Sequence, residues 1–251
     1  MGGGANKPAL LVDGKRLDGR AMDELRPITI KASVLHRATG SCYLQWGENK
    51  IMAAVYGPRE CIPRHKIDPY SAVIHCRYRM SPFASIEEHS RAGPSRRSTE
   101  LSKVIREVFE NLVIGAKYPK TAIDISMEVL QADGGTRCAA ITAASIALAD
   151  AGIPMKDLVC AVAVGKIDGQ LAIDFSKLED NYGNADIPVA ISHRNKEMLL
   201  LQMDGLMTKD EMAQAMDMAL SASEKIHAIQ VEALKEVYAR KSVDKPEGEI
   251  A

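Results

Sequence analysis

The stretch Ala122-Ile-Asp-Ile-Ser-Met-Glu-Val-Leu-Gln-Ala-Asp-Gly-Gly-Thr-Arg137, continued by Cys138-Ala-Ala-Ile-Thr-Ala-Ala-Ser-Ile-Ala-Leu-Ala-Asp150, changes its hydrophobic period halfway along. Ala122 to Leu130 alternates apolar and polar residues, the period of a strand. Thr136 to Ala151 is rich in Ala and reads as a tightly packed helix that Gly152 and Pro154 terminate. The junction Ala132-Asp-Gly-Gly-Thr-Arg137 therefore stands at a strand end and a helix start. Two glycines there let the backbone approach a ligand closely. The N–H groups of Gly135 and Thr136, the Thr136 hydroxyl, the helix dipole and the Arg137 guanidinium all favour an anion. The GxxxxGK[ST] spacing of a nucleotide-binding loop is absent, and Gly-Gly before a helix also serves as a plain turn.

Outward from this junction, strands and helices are mixed without strict alternation. Ile28 to Leu35, Ser41 to Trp46, Ile51 to Tyr56 and Ser71 to Tyr78 read as strands in the first third. Leu101, Val104, Ile105, Val108, Phe109, Leu112 and Val113 follow the spacing of an amphipathic helix, begun at Pro94-Ser95 with Ser95 as N-cap. Downstream, Val159 to Val164, Leu171 to Asp174, Ile187 to Ser192 and Met198 to Gln202 read as strands. Thr208-Lys-Asp-Glu211 is a capping box that opens a long last helix. The pattern favours an α+β fold over a doubly wound parallel sheet.

Composition bounds the possibilities. The 251 residues are 46% hydrophobic and 26% charged, enough apolar surface for one large domain. We expect a single domain over residues 11–240, a flexible N-terminus over 1–10 and a polar tail over 241–251. No apolar run of about 18 residues is present and Met1 to Pro8 lacks a signal-like stretch, so a cytoplasmic location is expected. The 32 basic and 33 acidic residues nearly cancel, so any nucleic-acid site has to come from local clustering. Cys42, Cys61, Cys76, Cys138 and Cys160 are scattered without CxxC spacing and read as small core residues. His36, His75, His193 and His227 have no ligand spacing and read as structural.

Two further segments could carry chemistry. Ser95-Arg96-Arg97 puts two cations in the first turn of a helix, where the dipole disfavours each by roughly 0.3–1 kcal/mol. Either the turn is solvated and paired with a carboxylate such as Glu100, or the guanidiniums await phosphate oxygens. Glu179-Asp180-Asn-Tyr-Gly-Asn-Ala-Asp186, after Asp174, is either an acidic surface loop or a place for a general acid and Mg²⁺. The loops Arg59 to His65 and Arg77 to Arg91 are basic, and the second includes Tyr78 and Phe83, a mixture suited to single-stranded RNA or to plain solvent exposure. Glu87-Glu88 reads as surface.

Taken together, Asp18-Gly-Arg20, Ala53-Ala-Val-Tyr-Gly-Pro58, Ser95-Arg-Arg97, Leu130 to Arg137, Asp150-Ala-Gly-Ile-Pro154 and the Glu179 to Asp186 stretch resemble the RNase PH-type phosphorolytic exoribonucleases. The likeness covers roughly residues 12 to 240 and leans toward the catalytic ring subunits of archaeal exosomes. It implies an RNase PH-like (ribosomal protein S5 domain 2-like) α+β fold, a mixed sheet packed with helices. It also implies 3′-to-5′ RNA degradation by inorganic phosphate to nucleoside diphosphates, with the reverse reaction adding a tail. By that likeness Gly135, Thr136, Arg137 and Arg97 hold the attacking phosphate, and Arg96, Arg64 and His65 meet RNA. Asp180 is the acid beside the leaving 3′ oxygen. Asp186, with Asp180, binds or orients Mg²⁺ or Mn²⁺. Many relatives have Ser where Thr136 stands, and the hydroxyl is kept. The implied partners are RNA, a related non-catalytic subunit completing a hexameric ring, and RNA-binding cap subunits. A homohexameric enzyme trimming tRNA ends and a non-catalytic RNA-binding scaffold are the alternatives.

Overall fold

The computed structural model describes residues 9–12, 14–86 and 95–243, and side chains as far as 239. Glu87-Glu88, Arg91, Pro94, the first eight residues and the tail beyond 243 lie outside the described residues. Two five-stranded sheets sandwich one helix. The first sheet contains β3 (Ile28–Ala32), β4 (Gly40–Trp46), β5 (Asn49–Glu60), β6 (Val73–Met80) and β7 (Thr121–Gln131), in the order β3-β4-β5-β7-β6. Its neighbours are antiparallel except β6 and β7, which run parallel and are joined through helix α1 (Arg96–Leu112).

The second sheet contains β8 (Val159–Ile167), β9 (Gln170–Ile173), β10 (Ala185–Ser192) and β11 (Met198–Leu201), in the order β11-β10-β8-β9. A two-residue strand, β12 (Asp204–Gly205), pairs with the start of β10. Helix α2 (Thr136–Asp150) packs on β4, β5 and β8 and so lies between the sheets. Its Ala-rich sequence follows from this position. A helix buried all round has no room for large side chains where two sheets converge, and Ala139, Ala140, Ala143, Ala144 and Ala147 are at most 1% exposed. The last helix, α4 (Lys209–Val243), covers β8 and β3, and opens with Thr208 and Glu211 exchanging the two bonds of the expected capping box.

The mixed α+β architecture is the expected one, and the strand expectations fall within a few residues of the observed ends. The differences sit at the margins. Leu10 is fully buried against Ile167, Ala172 and Phe175, so packing begins within the segment expected to be frayed. A short hairpin of β1 (Leu11–Val12) and β2 (Lys15–Arg16) follows. Helix α4 continues through Val243, into the segment expected as tail. The five cysteines are free thiols, and all but Cys76 are fully buried. His193 and His227 stack with ring centroids 3.8 Å apart, and His75 pairs with Asp124 at 2.9 Å, which suits the structural reading of these histidines. Among the described residues, no helix is long and apolar enough to cross a membrane.

Candidate phosphate and acid site

The C-terminal ends of β6 and β7 and the N-termini of α1 and α2 converge on a cavity of about 1020 Å³. Arg97, Thr136 and Asp180 line it. Ser95 caps α1 as expected, its hydroxyl accepting the Ser98 N–H at 3.0 Å. No acidic residue stands in the first turn of α1. Within that turn the cations Arg96 and Arg97 therefore meet the positive end of the dipole with no acidic neighbour. That arrangement suits an incoming anion. Arg97 faces the cavity, whereas exposed Arg96 is not among the residues lining it.

The turn before α2 is fixed from several sides. Gly134 has φ +68°, and a Cβ there would lie 2.6 Å from the backbone carbon of Ser176, so the backbone of the turn touches the chain entering the next acidic element. Gly135, φ +65°, is the N-cap of α2. Asn49 holds the turn by donating to the Gly134 carbonyl at 2.6 Å and accepting the Asp133 N–H at 2.6 Å. Thr136 accepts a hydrogen bond from the Tyr78 hydroxyl at 2.9 Å, which leaves its own proton free for an anion. Arg137 donates to the side chain of Gln202.

The acidic stretch is not a loop. It forms helix α3 (Lys177–Tyr182) and the start of β10. Glu179 points inward, 2% exposed, and pairs with the buried Arg16 through Nε at 2.7 Å and Nη2 at 2.5 Å. It also accepts the Ser176 N–H at 2.8 Å, completing a capping box. With Glu179 locked inside, Asp180 turns to the cavity. Burial raises the Asp180 carboxyl above the usual range, Arg97, Arg137 and Arg26 oppose this, and Asp204 reinforces it.

Asp186 is pushed up to about 7, first by burial and then by the Asp180 charge, with Asp204 adding to the effect and Arg137 and Arg97 opposing it. Its Oδ1 is buried with no hydrogen-bond partner. Such a pair of like charges with an orphaned oxygen fits a divalent cation. Among the described residues no cluster of three or more His, Cys, Asp or Glu is arranged for a metal. A cation here would be held by one or two carboxylates with water completing its shell, which is the habit of Mg²⁺.

Metal-free, this site costs stability. An aspartate whose folded value lies above its unfolded value of about 3.9 destabilises the fold as pH rises between the two, and the penalty disappears in acid. Asp186→Asn is therefore expected to raise Tm at pH 8 by at least roughly 2–4 °C, the shift given by about 1 kcal/mol at this chain length. The same variant should leave Tm unchanged at pH 4. Melting curves with chelator at the two pH values check this, and a lower Tm at pH 8 would contradict it.

The structure thus brings together Arg97, Gly135, Thr136, Arg137, Asp180 and Asp186. It does not bring Arg64 and His65 to them. Those two lie on the turn Arg64–Lys66, beyond the end of β5 that pairs with Thr121 and Ala122. The site is at the other end of β7, roughly 30 Å away at the rise of a strand. Arg77 and Arg79 belong to β6 rather than to a loop, and Tyr78 is 1% exposed, so it is no stacking platform. Phe83 remains 74% exposed. Asp204, opposite Asp186 in the β10–β12 pairing, was not legible as a site residue, because Asp-Gly reads as a turn. The buried arginines Arg16 and Arg26 behind the site had no local signal either, and Arg20 stood out only within the Asp18-Gly-Arg20 segment of the resemblance.

A family model described as "3' exoribonuclease family, domain 1" matches residues 24–154, and one described as "3' exoribonuclease family, domain 2" matches residues 157–222. The two matches divide the chain much as the two sheets do. The chain is 56% identical to the "Exosome complex component Rrp41" of Archaeoglobus fulgidus, over 91% of this chain and 90% of that one. It is 55% identical to the protein of that name from Thermococcus kodakarensis, over 90% of each, and 51% identical to that from Thermoplasma acidophilum, over 98% of each. The fold is also that of rice Rrp46, with TM-score 0.79 at 24% identity, covering 88% of this chain and 100% of that one. A chain of the A. fulgidus exosome with RNA bound to the active site superposes with TM-score 0.75 at 23% identity, covering 86% and 92%.

Proposed function

Because the chain belongs to the 3′ exoribonuclease family of RNase PH type, we propose that it is the catalytic subunit of an archaeal exosome and shortens RNA from the 3′ end with inorganic phosphate as nucleophile. The observation that carries this reading is that Arg97 and Thr136 line one cavity with Asp180, while Arg137 and Asp186 lie close enough for their charges to act on the same carboxyls. Phosphate seated on the α2 N-terminus meets the N–H groups of the turn, the Thr136 hydroxyl and two guanidiniums. These hold the nucleophile and spread the charge that builds on the equatorial oxygens in the transition state.

Asp180, whose carboxyl burial raises above its usual range, donates a proton to the departing ribose oxygen. The pair Asp186 and Asp180 would hold Mg²⁺ or Mn²⁺, which when bound neutralises charge on the phosphodiester. One phosphate ester becomes a phosphoanhydride, so the energies nearly balance and nucleoside diphosphates can also extend RNA. The proposed partners are RNA, a related non-catalytic subunit in a hexameric ring, and RNA-binding caps.

The test is an RNA decay assay on the chain with its ring partner, with and without phosphate. The expected products are nucleoside 5′-diphosphates, formed at a rate that rises with phosphate. Monophosphates formed at a rate indifferent to phosphate would mean that water is the nucleophile. The two groups of arginines should separate in the same assay. Arg64→Ala, far from the acid, is expected to weaken RNA binding and lower the salt slope by about one unit, with the phosphate requirement unchanged. Arg137→Ala should instead raise the phosphate concentration at half-maximal rate. Titrations in RNA and in phosphate check this, and equal shifts of both titrations by both variants would refute the division.

A further inference from the structure

Behind the cavity lies a side-chain network that touches none of the reacting groups. Arg26, 6% exposed, is its centre. One side of its guanidinium holds Asp174, with Nη2 to Oδ1 at 2.6 Å and Nε to both oxygens at 3.1 Å, while its backbone N–H donates to Oδ2 at 2.6 Å. The other side reaches the turn before α2. Nη1 donates to the Asp133 carbonyl, and Nη2 lies 3.4 Å from the Gly134 carbonyl. Asp174 follows the last residue of β9 and stands three residues before α3, which carries Asp180. A single planar group therefore bridges the element that presents the phosphate cradle and the element that presents the acid.

We propose that Arg26 is a positioning residue for the reaction, setting the separation between the Gly134-Gly135 cradle and Asp180 through simultaneous bonds to both supports. The proposal rests on the phosphorolytic reading of the site. Its physical basis is the fork. A guanidinium offers five donors in fixed directions and can serve two partners at once, whereas a lysine is a point charge and serves one. Asp174 does not depend on Arg26 alone. It also accepts from Trp46 Nε1 at 2.9 Å and from Arg20 Nη1 at 3.3 Å. Loss of the fork can therefore release the turn while the buried carboxylate stays paired. Arg20, 8% exposed, shares Asp174 but has no bond to residues 133–134, which makes it the matched control.

The experiment compares Arg26→Lys and Arg20→Lys in the assembled complex. Measured quantities are RNA affinity, the phosphate concentration at half-maximal rate and the rate at saturating phosphate. An ångström of misplacement costs up to about 10²-fold in rate. Arg26→Lys is expected to raise the phosphate requirement about tenfold, lower the saturating rate roughly 10- to 100-fold and keep RNA affinity.

Arg20→Lys is expected to keep the wild-type phosphate requirement. Equal effects of the two variants, or a wild-type phosphate requirement in Arg26→Lys, overturn the proposal. If Arg26→Lys does not fold, Asn49→Ser frees the same turn from the strand side without touching the ion pairs, and an unchanged phosphate requirement there overturns it too. Failure of the wild-type complex to use phosphate would instead refute the reading beneath, before any variant is compared.

Discussion

Asp180→Asn is expected to reduce RNA degradation by a factor on the order of 10²–10⁴, the range for loss of a positioned general acid. Asn preserves the size and the hydrogen-bonding edge of the side chain but carries no acidic proton. The position is set by α3, whose inward residue Glu179 is locked to Arg16, so the substitution should not shift the helix. RNA affinity should stay near wild type, because the cations that meet phosphates remain and one nearby negative charge is gone. The phosphate requirement should change less than the rate. Single-turnover decay and RNA titration on the assembled ring check both parts. Turnover within about threefold of wild type would remove Asp180 from the acid role.

Asp174→Ala is expected to be the most damaging single change to stability. Asp174 is 3% exposed and accepts from Arg20, Arg26 and Trp46, with a further Arg16 bond to its backbone carbonyl at 2.8 Å. Removing the carboxylate leaves two buried guanidiniums short of their counter-charge, and breaking a buried pair in this way costs about 3–5 kcal/mol. The backbone adds to the loss. Asp174 has φ +56°, a conformation that Asp tolerates better than Ala. At roughly 2–4 °C per kcal/mol for a chain of this length, Tm should fall by about 6–20 °C. Thermal melts monitored by circular dichroism measure this directly, and a drop under about 3 °C would show that the network carries little of the fold's stability.

The two predictions probe opposite faces of one short segment. Asp174 and Glu179 point into the protein and fix α3, while Asp180 lines the cavity and Asp186 lies beside it with its charge coupled to that of Asp180. Charged residues of both kinds lie within 13 positions of one another. The inward pair is satisfied by arginines. The outward pair is left with raised carboxyls and an orphaned oxygen, the usual sign of a site kept under strain for a ligand.

What the amino-acid order alone determined here is what local physics encodes. The alternation from Ala122 to Leu130 and the Ala-rich run after Thr136 each state their own period, and so β7, α2 and the anion-favouring junction between them were legible. Ser95 and the Thr208–Glu211 box mark helix starts because a cap acts within a single turn. The paired arginines at the head of α1 stood out because they conflict with that helix's own dipole.

Tertiary structure decided everything that depends on partners distant in the chain. Arg16, Arg20 and Arg26 meet Asp174 and Glu179 across about 150 residues, and no spacing rule reaches that far. Whether Tyr78 faced RNA or the core depended on which side of β6 the helix α1 covered. Asp204 became a site residue only through its register opposite Asp186. A carboxylate's role is fixed by its burial and by the charges beside it, and both are properties of the folded arrangement rather than of the order of residues.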